Sequence, residues 1–456
     1  MFLVFYLTFC QTFRMTDSFI QVLLCLLAGI AIIILLTAKY RVHPFFALLI
    51  ACFLVGLGVQ MEFSSILSSI KQGFGHIMQS LGLIIVLGTT LGVLLEHSGC
   101  TRVMASFIMK KTGDKKAPLA MSITGFIFGL PVFCDSGYIV LSGLNQSLAK
   151  RTGISVAIMA TSLATGLYAV HCLLPPHPGA AAAAVTTGVD FGRLIIIGIA
   201  VAIPGMIAGH LWARYAGKKV PHVAAEEDDT KTHESAPPVF MAFLPVIIPV
   251  LLIAVNSFFA LEKNSASVLQ KIFAVLGEPA IALSVGILLV FASIRKWTKN
   301  TVSKLLQEGA EKAGGILVII GAGGAFGAVL AATKIGEHFG QSLDLGSMGI
   351  FFPFLLTFIL KTAQGSSTVA IITAASIIQP LLPALGLDTE NGKLLAVLSM
   401  GAGSMMISHA NDAYFWVISK FSGIEMKSML KVYSIATIWM GLVTLLIVYI
   451  LSLLML

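Results

Sequence analysis

Charge is what this 456-residue chain has little of: 11% of its residues are charged and 57% are hydrophobic, where a soluble globular domain carries roughly 25% charged residues. A water-facing surface of ordinary extent is therefore excluded, and lipid takes the place of water. Cysteine is sparse as well. Cys10, Cys25, Cys52, Cys100, Cys134 and Cys172 show no close pair and no recurring spacing, which argues against a disulfide framework or a cysteine zinc site and leaves them as small buried apolar residues. The opening MFLVFYLTFCQTFR has no basic start and no small-residue cleavage site, so a cleaved signal is not expected. Residues 1–17 read as an N-terminal extension, with Met15 as an alternative start. A net charge of +8 would suggest nucleic acid in a soluble protein, but here it requires only cytoplasmic loops rich in Lys and Arg, and no nucleic-acid partner is expected. There is no H-E-x-x-H, and His171 and His177 flank a Pro-Pro break instead of sharing a helix face. An intramembrane metallohydrolase using His171, His177, His409 and Asp412 is accordingly a weak alternative; no metal, no cofactor and no enzymatic activity are expected.

What the chain has in abundance is long apolar sequence. Stretches of about 20 residues, the length that spans a ~30 Å hydrocarbon core, run near 18–38, 43–60, 76–96, 155–185, 193–213, 239–260, 278–294, 314–332, 393–418 and 432–454. Segments 117–148 and 348–385 are too long for one crossing and too short for two with a turn. Each suits a re-entrant hairpin, with the polar tips Cys134-Asp135-Ser136-Gly137 and Gln364-Gly365-Ser366-Ser367-Thr368 at mid-segment. With the N-terminus outside, 21 of the 29 Lys and Arg face the cytoplasm, seven face outward and Lys361 lies inside a membrane element, as the excess of cytoplasmic positive charge requires.

The polar segment 216–238, with its acidic run and Pro-Pro, is the linker between 18–215 and 239–456. Each half has five crossings and one hairpin, so the second enters the membrane inverted. Gly82-Leu-Ile-Ile-Val-Leu-Gly88 resembles Gly315-Ile-Leu-Val-Ile-Ile-Gly321 at an offset of 233, and His171 and His409 lie 238 apart. The fold expected is an all-α polytopic membrane protein of two inverted repeats, each of about five transmembrane helices plus one re-entrant hairpin, with broken helices at the midplane. That is the architecture of secondary transporters.

The breaks themselves are chemical. His171-Cys-Leu-Leu-Pro175-Pro176-His177-Pro178-Gly179 holds three prolines that lack the amide N–H and clash with the preceding turn, so the helix must unwind. The alanines of 180–184 restart it, presenting free N–H groups and a positive dipole end to an anion. The second half offers the Gly365-Ser366-Ser367-Thr368 tip, whose hydroxyls and amides suit a carboxylate, and a break at Ser408-His409-Ala-Asn411-Asp412. Lys361 reads either as the cation of that site or as a lysine snorkelling to the interface. Gly321-Ala-Gly323-Gly324-Ala-Phe-Gly327 lacks G-x-G-x-x-G spacing, and Gly323/Gly327, like Gly88/Gly92, suggests close helix packing. The amphipathic stretch 299–313 reads as a helix lying on the cytoplasmic surface.

PVFCDSGY, HCLLPPHPGA, GAGGAFGAVL, TAQGSSTVA and GAGSMMISHANDAYFW, in this order from about residue 18 onward, resemble the gluconate permease family of proton-coupled sugar-acid transporters, part of the wider ion-transporter superfamily. The resemblance implies a multi-pass protein of the bacterial inner membrane that imports gluconate or a related acid with protons. A sodium-coupled carboxylate carrier or a D-serine carrier of the same fold is the alternative, and oligomeric state is left open. The family often has Phe-Phe-acid-Val-Gly-Phe at 133–138, arginine at Lys361 and glycine at Tyr414, so the preferred acid is not fixed by the likeness. The substrate-binding candidates are Ser136, His171, His177, Gly179, Lys361, Gln364, Gly365, Ser366, Ser367, Thr368, His409 and Asn411. Asp135 and Asp412 are the candidates for proton coupling, Asp135 the stronger because it sits at a hairpin tip. The acid must take up and release a proton as the site changes sides, and the nearby histidines could relay it.

Overall fold

The computed structural model describes residues 19–113, 116–220, 237–261, 268–293, 297–333, 345–409 and 412–456, and among these it is helical with no strand. The first half contains α1 (Phe19–Ile34), α2 (Pro44–Gly58), α3 (Phe63–Ser98), α4 (Cys100–Thr112), α5 (Ala117–Gly129), α6 (Cys134–Thr152), α7 (Val156–Leu173), α8 (Pro178–Thr187) and α9 (Phe191–Ala216). The second contains α10 (Val239–Leu261), α11 (Val268–Leu276), α12 (Pro279–Ser293), α13 (Lys299–Ala332), α14 (Phe351–Gln364), α15 (Ser367–Ile378), α16 (Glu390–Met405), α17 (Ala413–Ser422) and α18 (Met426–Met455), the last interrupted by a π-helical turn at Leu430–Ser434. Among the described residues, seven helical segments are long and apolar enough to cross a membrane, eight if the bent α11–α12 pair is one span. Of the ten expected crossings, Pro44–Gly58 is shorter than this criterion and 393–418 is divided between α16 and α17. The proposed extension 1–17 and most of the linker lie outside the described residues.

Both expected hairpins are visible in the packing. Gly125 lies against Leu163 and Leu167, Gly129 against Leu167 and Val170, and Gly166 against Ser122 and Phe126, so contacts advance together along α5 and α7 and the two helices are parallel. Consecutive elements can be parallel only if the chain returns between them. Helix α6 is that return, running back along α7 from Gly137 beside Leu167. The second half repeats the device. Ser399 donates to the Ile350 carbonyl at 2.5 Å and Gly403 abuts Phe354 and Phe358, making α14 and α16 parallel with α15 the return. Glycine is required at these seams because the backbones nearly touch: a Cβ on Gly166 would stand 2.1 Å from the Ser122 carbonyl oxygen.

The two longest helices, α3 and α13, cross through the middle. Gly73 meets Gly324 at one end of the contact and Thr90 meets Gly309 at the other, so they are antiparallel, and the Thr89 hydroxyl donates to the Gly309 carbonyl at 3.0 Å. This overturns the expected surface helix at 299–313. Its apolar stripe, Leu305, Gly309 and Ala313, is buried and continuous with 314–332 in one 34-residue helix, because α3 supplies the apolar partner that lipid headgroups would otherwise have provided. The glycine motifs face the breaks and hairpins. A Cβ on Gly88 would stand 3.6 Å from Pro176 at the α7–α8 break and one on Gly92 would stand 3.5 Å from the Pro131 carbonyl oxygen, while Gly323 and Gly327 receive Ile372 and Ser376 of α15.

Candidate functional site

Four helices begin at the centre of the molecule. The α7–α8 break at Leu174–His177, which includes a cis Pro175–Pro176 bond, starts α8 at Pro178, and the α14–α15 break at Gly365–Ser366 starts α15 at Ser367. These two N-termini meet: a Cβ on Gly179 would lie 3.3 Å from the Thr368 Cα and 3.0 Å from Ile371. Thr186 and Gln379, near the other ends of the two helices, line one hollow with Gln72 and His76 of α3, so α8 and α15 run side by side in the same direction. Ser366 caps α15, its hydroxyl accepting from the Val369 N–H. Helix α8 has no side-chain cap, and His177 at its N-cap instead turns its Nε2–H onto the Gly129 carbonyl at 2.6 Å. His171 stands across the gap with Nε2 3.4 Å from the Thr368 hydroxyl and its ring 5.0 Å from that of His177; its buried Nδ1 has no partner among the described residues.

The second pair is α6 with α17. Tyr138 and Tyr414 pack edge to face at 6.1 Å, the Tyr138 hydroxyl bonds to the Ser422 hydroxyl, and Gln146 donates to the Phe421 carbonyl. Both N-termini carry acids. Asp135 lies in the first turn of α6, with a buried Oδ1 that meets no hydrogen-bond donor among the described residues. Asp412 caps α17, its Oδ1 accepting from the Tyr414 N–H at 3.0 Å. Its Oδ2 accepts from Ser408 at 2.5 Å and from the Lys361 ammonium at 2.6 Å.

Lys361 is 0% exposed and donates also to the Gly365 carbonyl at 2.6 Å. It does not snorkel. Nor does it stand open to a ligand, for its ammonium is held by Asp412, 51 residues further along the chain. Removing one member of such a buried pair typically costs 3–5 kcal/mol, because the other is left uncompensated. His409 donates through Nε2 to the Thr362 carbonyl at 3.3 Å and so braces α14 against the second break.

The structure therefore brings together His171, His177, Gly179, Gly365, Ser366, Ser367 and Thr368, and beside them Asp135, Lys361 and Asp412. Ser136 and Gln364 are placed by their backbones in α6 and α14, with their side chains outside the described set, and Asn411 lies outside the described residues. Sequence reasoning missed Ser408 and a cluster of buried tyrosines, Tyr138, Tyr168, Tyr414 and Tyr433, in which Tyr168 stacks on Tyr414 at 5.7 Å and donates to the Ser404 carbonyl at 3.1 Å. The available signal was a hydroxyl-bearing residue close to a break for Ser408, Tyr138 and Tyr414, whereas Tyr168 and Tyr433 lie further along the chain and are brought in by packing.

The family model described as GntP family permease matches residues 21–454. The chain belongs to the GntP permease family. It is a multi-pass membrane transporter, not an enzyme. An uncharacterized permease of Haemophilus influenzae is 34% identical over 90% of this chain and 88% of its own. The gluconate permease of Pseudomonas aeruginosa is 31% identical over 97% of this chain and 99% of its own, and the D-serine transporter DsdX of Escherichia coli K12 is 30% identical over 92% and 96%. Among solved structures, the YdaH transporter of Alcanivorax borkumensis aligns with a TM-score of 0.63 at 15% identity, covering 86% of this permease and 88% of that chain, a likeness of fold.

Proposed function

We propose that this permease imports gluconate or a closely related hydroxy acid across the bacterial inner membrane in symport with protons. The observation that carries the reading is the meeting of α8 and α15 at Gly179 and Thr368. Two helix N-termini aimed at one place, neither with an acid in its first turn, offer amide hydrogens and positive dipole ends to a carboxylate. The hydroxyls of Ser366 and Thr368 add hydrogen bonds to that carboxylate, and the ring of His171 supplies a neutral hydrogen-bonding group for a polyhydroxy chain. The proton goes to Asp135, whose buried Oδ1 has no hydrogen-bond partner among the described residues, whereas the oxygens of Asp412 are taken up by a lysine, a hydroxyl and a backbone amide. The two halves act as inverted repeats. In support of this, the Thr90–Gly309 contact shifted by 233 falls on 323 and 76, beside the observed contact of Gly324 with Gly73 and Ile77.

A D-serine-like substrate is the second reading, favoured by one feature: the buried Asp135 Oδ1, unpartnered among the described residues, is an acceptor for an ammonium group while the α8/α15 amides hold the carboxylate. Uptake of radiolabelled gluconate into proteoliposomes under an imposed pH gradient, with unlabelled acids as competitors, tests both. Accumulation driven by the pH gradient and inhibited by sugar acids is expected. Competition by D-serine alone replaces the substrate, and an absolute need for sodium replaces the proton.

A further inference from the structure

The centre holds an uneven set of charges. Lys361 and Asp412 are in contact and almost fully buried, at 0% and 6% exposure, and they cancel. Asp412 has its acceptor sites filled by Lys361, Ser408 and the Tyr414 amide. Asp135, within electrostatic range of both, has no cation in contact with it among the described residues. The other titratable groups facing these three are His171 from α7, Cys134 from α6, Cys172 from α7, and Tyr168, Tyr414 and Tyr433, and thiols and phenols carry no fixed charge at neutral pH. With its acids ionised the site thus carries one uncompensated negative charge. A substrate carboxylate would add a second in surroundings where like charges are poorly screened, unless a proton from water neutralises Asp135.

We propose that Lys361 and Asp412 are a self-cancelling pair that fixes the charge count of the site, so that one proton enters on Asp135 with each substrate anion. Lys361 is then a positioning residue that does not touch the transported anion. This rests on the symport reading above and adds to it the origin of the coupling ratio. With Asp412 neutralised, Lys361 compensates Asp135 and the anion enters without a proton. With both neutralised, the original count returns.

The test is made in proteoliposomes, reading proton-to-gluconate ratio, pH-driven accumulation and the apparent KM for gluconate exchange, with membrane content checked for each variant. Asp412→Asn is expected to lose pH-driven accumulation while exchange continues. The double variant Lys361→Met/Asp412→Asn is expected to regain accumulation at the wild-type ratio with an exchange KM within about threefold of wild type. Lys361→Arg, which keeps the charge, is expected to keep the ratio and serves if Asp412→Asn fails to reach the membrane. A double variant that stays uncoupled, an unchanged ratio in Asp412→Asn, or a tenfold rise of KM in the double variant overturns the proposal, the last by showing that Lys361 grips the anion. Loss of the ratio in Lys361→Arg overturns it as well. Failure of the symport reading looks different: wild-type protein would not accumulate substrate on a pH gradient at all.

Discussion

The α8/α15 pair and the α6/α17 pair use the same backbone device and differ in one residue type. In each, two helices start together at the centre with their N–H groups and positive dipole ends converging. At α6 and α17 the field is already answered by Asp135 in the first turn and by Asp412 as a cap. At α8 and α15 there is no acid, and the caps are an imidazole turned away and a serine hydroxyl. On the reading proposed above, a converging pair of N-termini is a binding site for a mobile anion only where the chain does not supply a fixed one. On the proposed inverted-repeat reading the geometry occurs twice, and the placing of two aspartates divides it into a proposed anion cradle and a proposed proton acceptor.

The most severe way to test that division is Asp135→Asn. Accumulation driven by a pH gradient should fall to background while gluconate exchange continues, because exchange moves no net proton; an unchanged pH-driven uptake would return the proton to the other pair. Next in size is Thr368→Ala in the acid-free pair. Loss of a hydrogen bond to a charged group costs about 1.5–3 kcal/mol, so the apparent KM should rise by roughly one to two decades with coupling intact, as measured by initial uptake rates. Gly179→Ala should act more mildly, by separating α8 from α15. Its Cβ would press on Ile371 at 3.0 Å, and a KM rise of about tenfold, on the scale of small misplacements in a built site, is expected without loss of protein from the membrane. The mildest variants carry no transport phenotype. Single cysteines at Lys116 and Asp388, on a cysteine-free background, should react with an impermeant thiol reagent from opposite faces, and labelling of both from one face would end the inverted-repeat reading.

Much of this was legible in the chain because the relevant signals are local. Pro175, Pro176 and Pro178 cannot be helix interior, and the structure breaks there. The length of 117–148 and the lysines flanking it called for a re-entrant hairpin, and the parallel α5 and α7 show that the chain doubles back there. Lys361 was legible only as a cation within a membrane segment, either of the site or snorkelling to the interface, since its partner is set by tertiary packing and lies 51 residues away. The 299–313 stretch failed for a related reason. Its periodicity gives the apolar face of a helix but not what covers that face, and lipid headgroups and a crossing helix ask for the same pattern. Ser408 was passed over because a serine four residues before Asp412 reads equally well as part of a turn.

The α3–α13 crossing bears on how the chain could be divided. The α3–α13 seam is built from Gly73, Ile77, Thr89 and Thr90 on one side and Gly309 and Gly324 on the other, all of them outside the interval 221–236 in sequence. A gene cut in that interval would yield two polypeptides whose mutual recognition surfaces are whole. Coexpressed as separate fragments, 1–228 and 229–456 should find each other in the bilayer and co-purify, as two subunits of a heterodimer would.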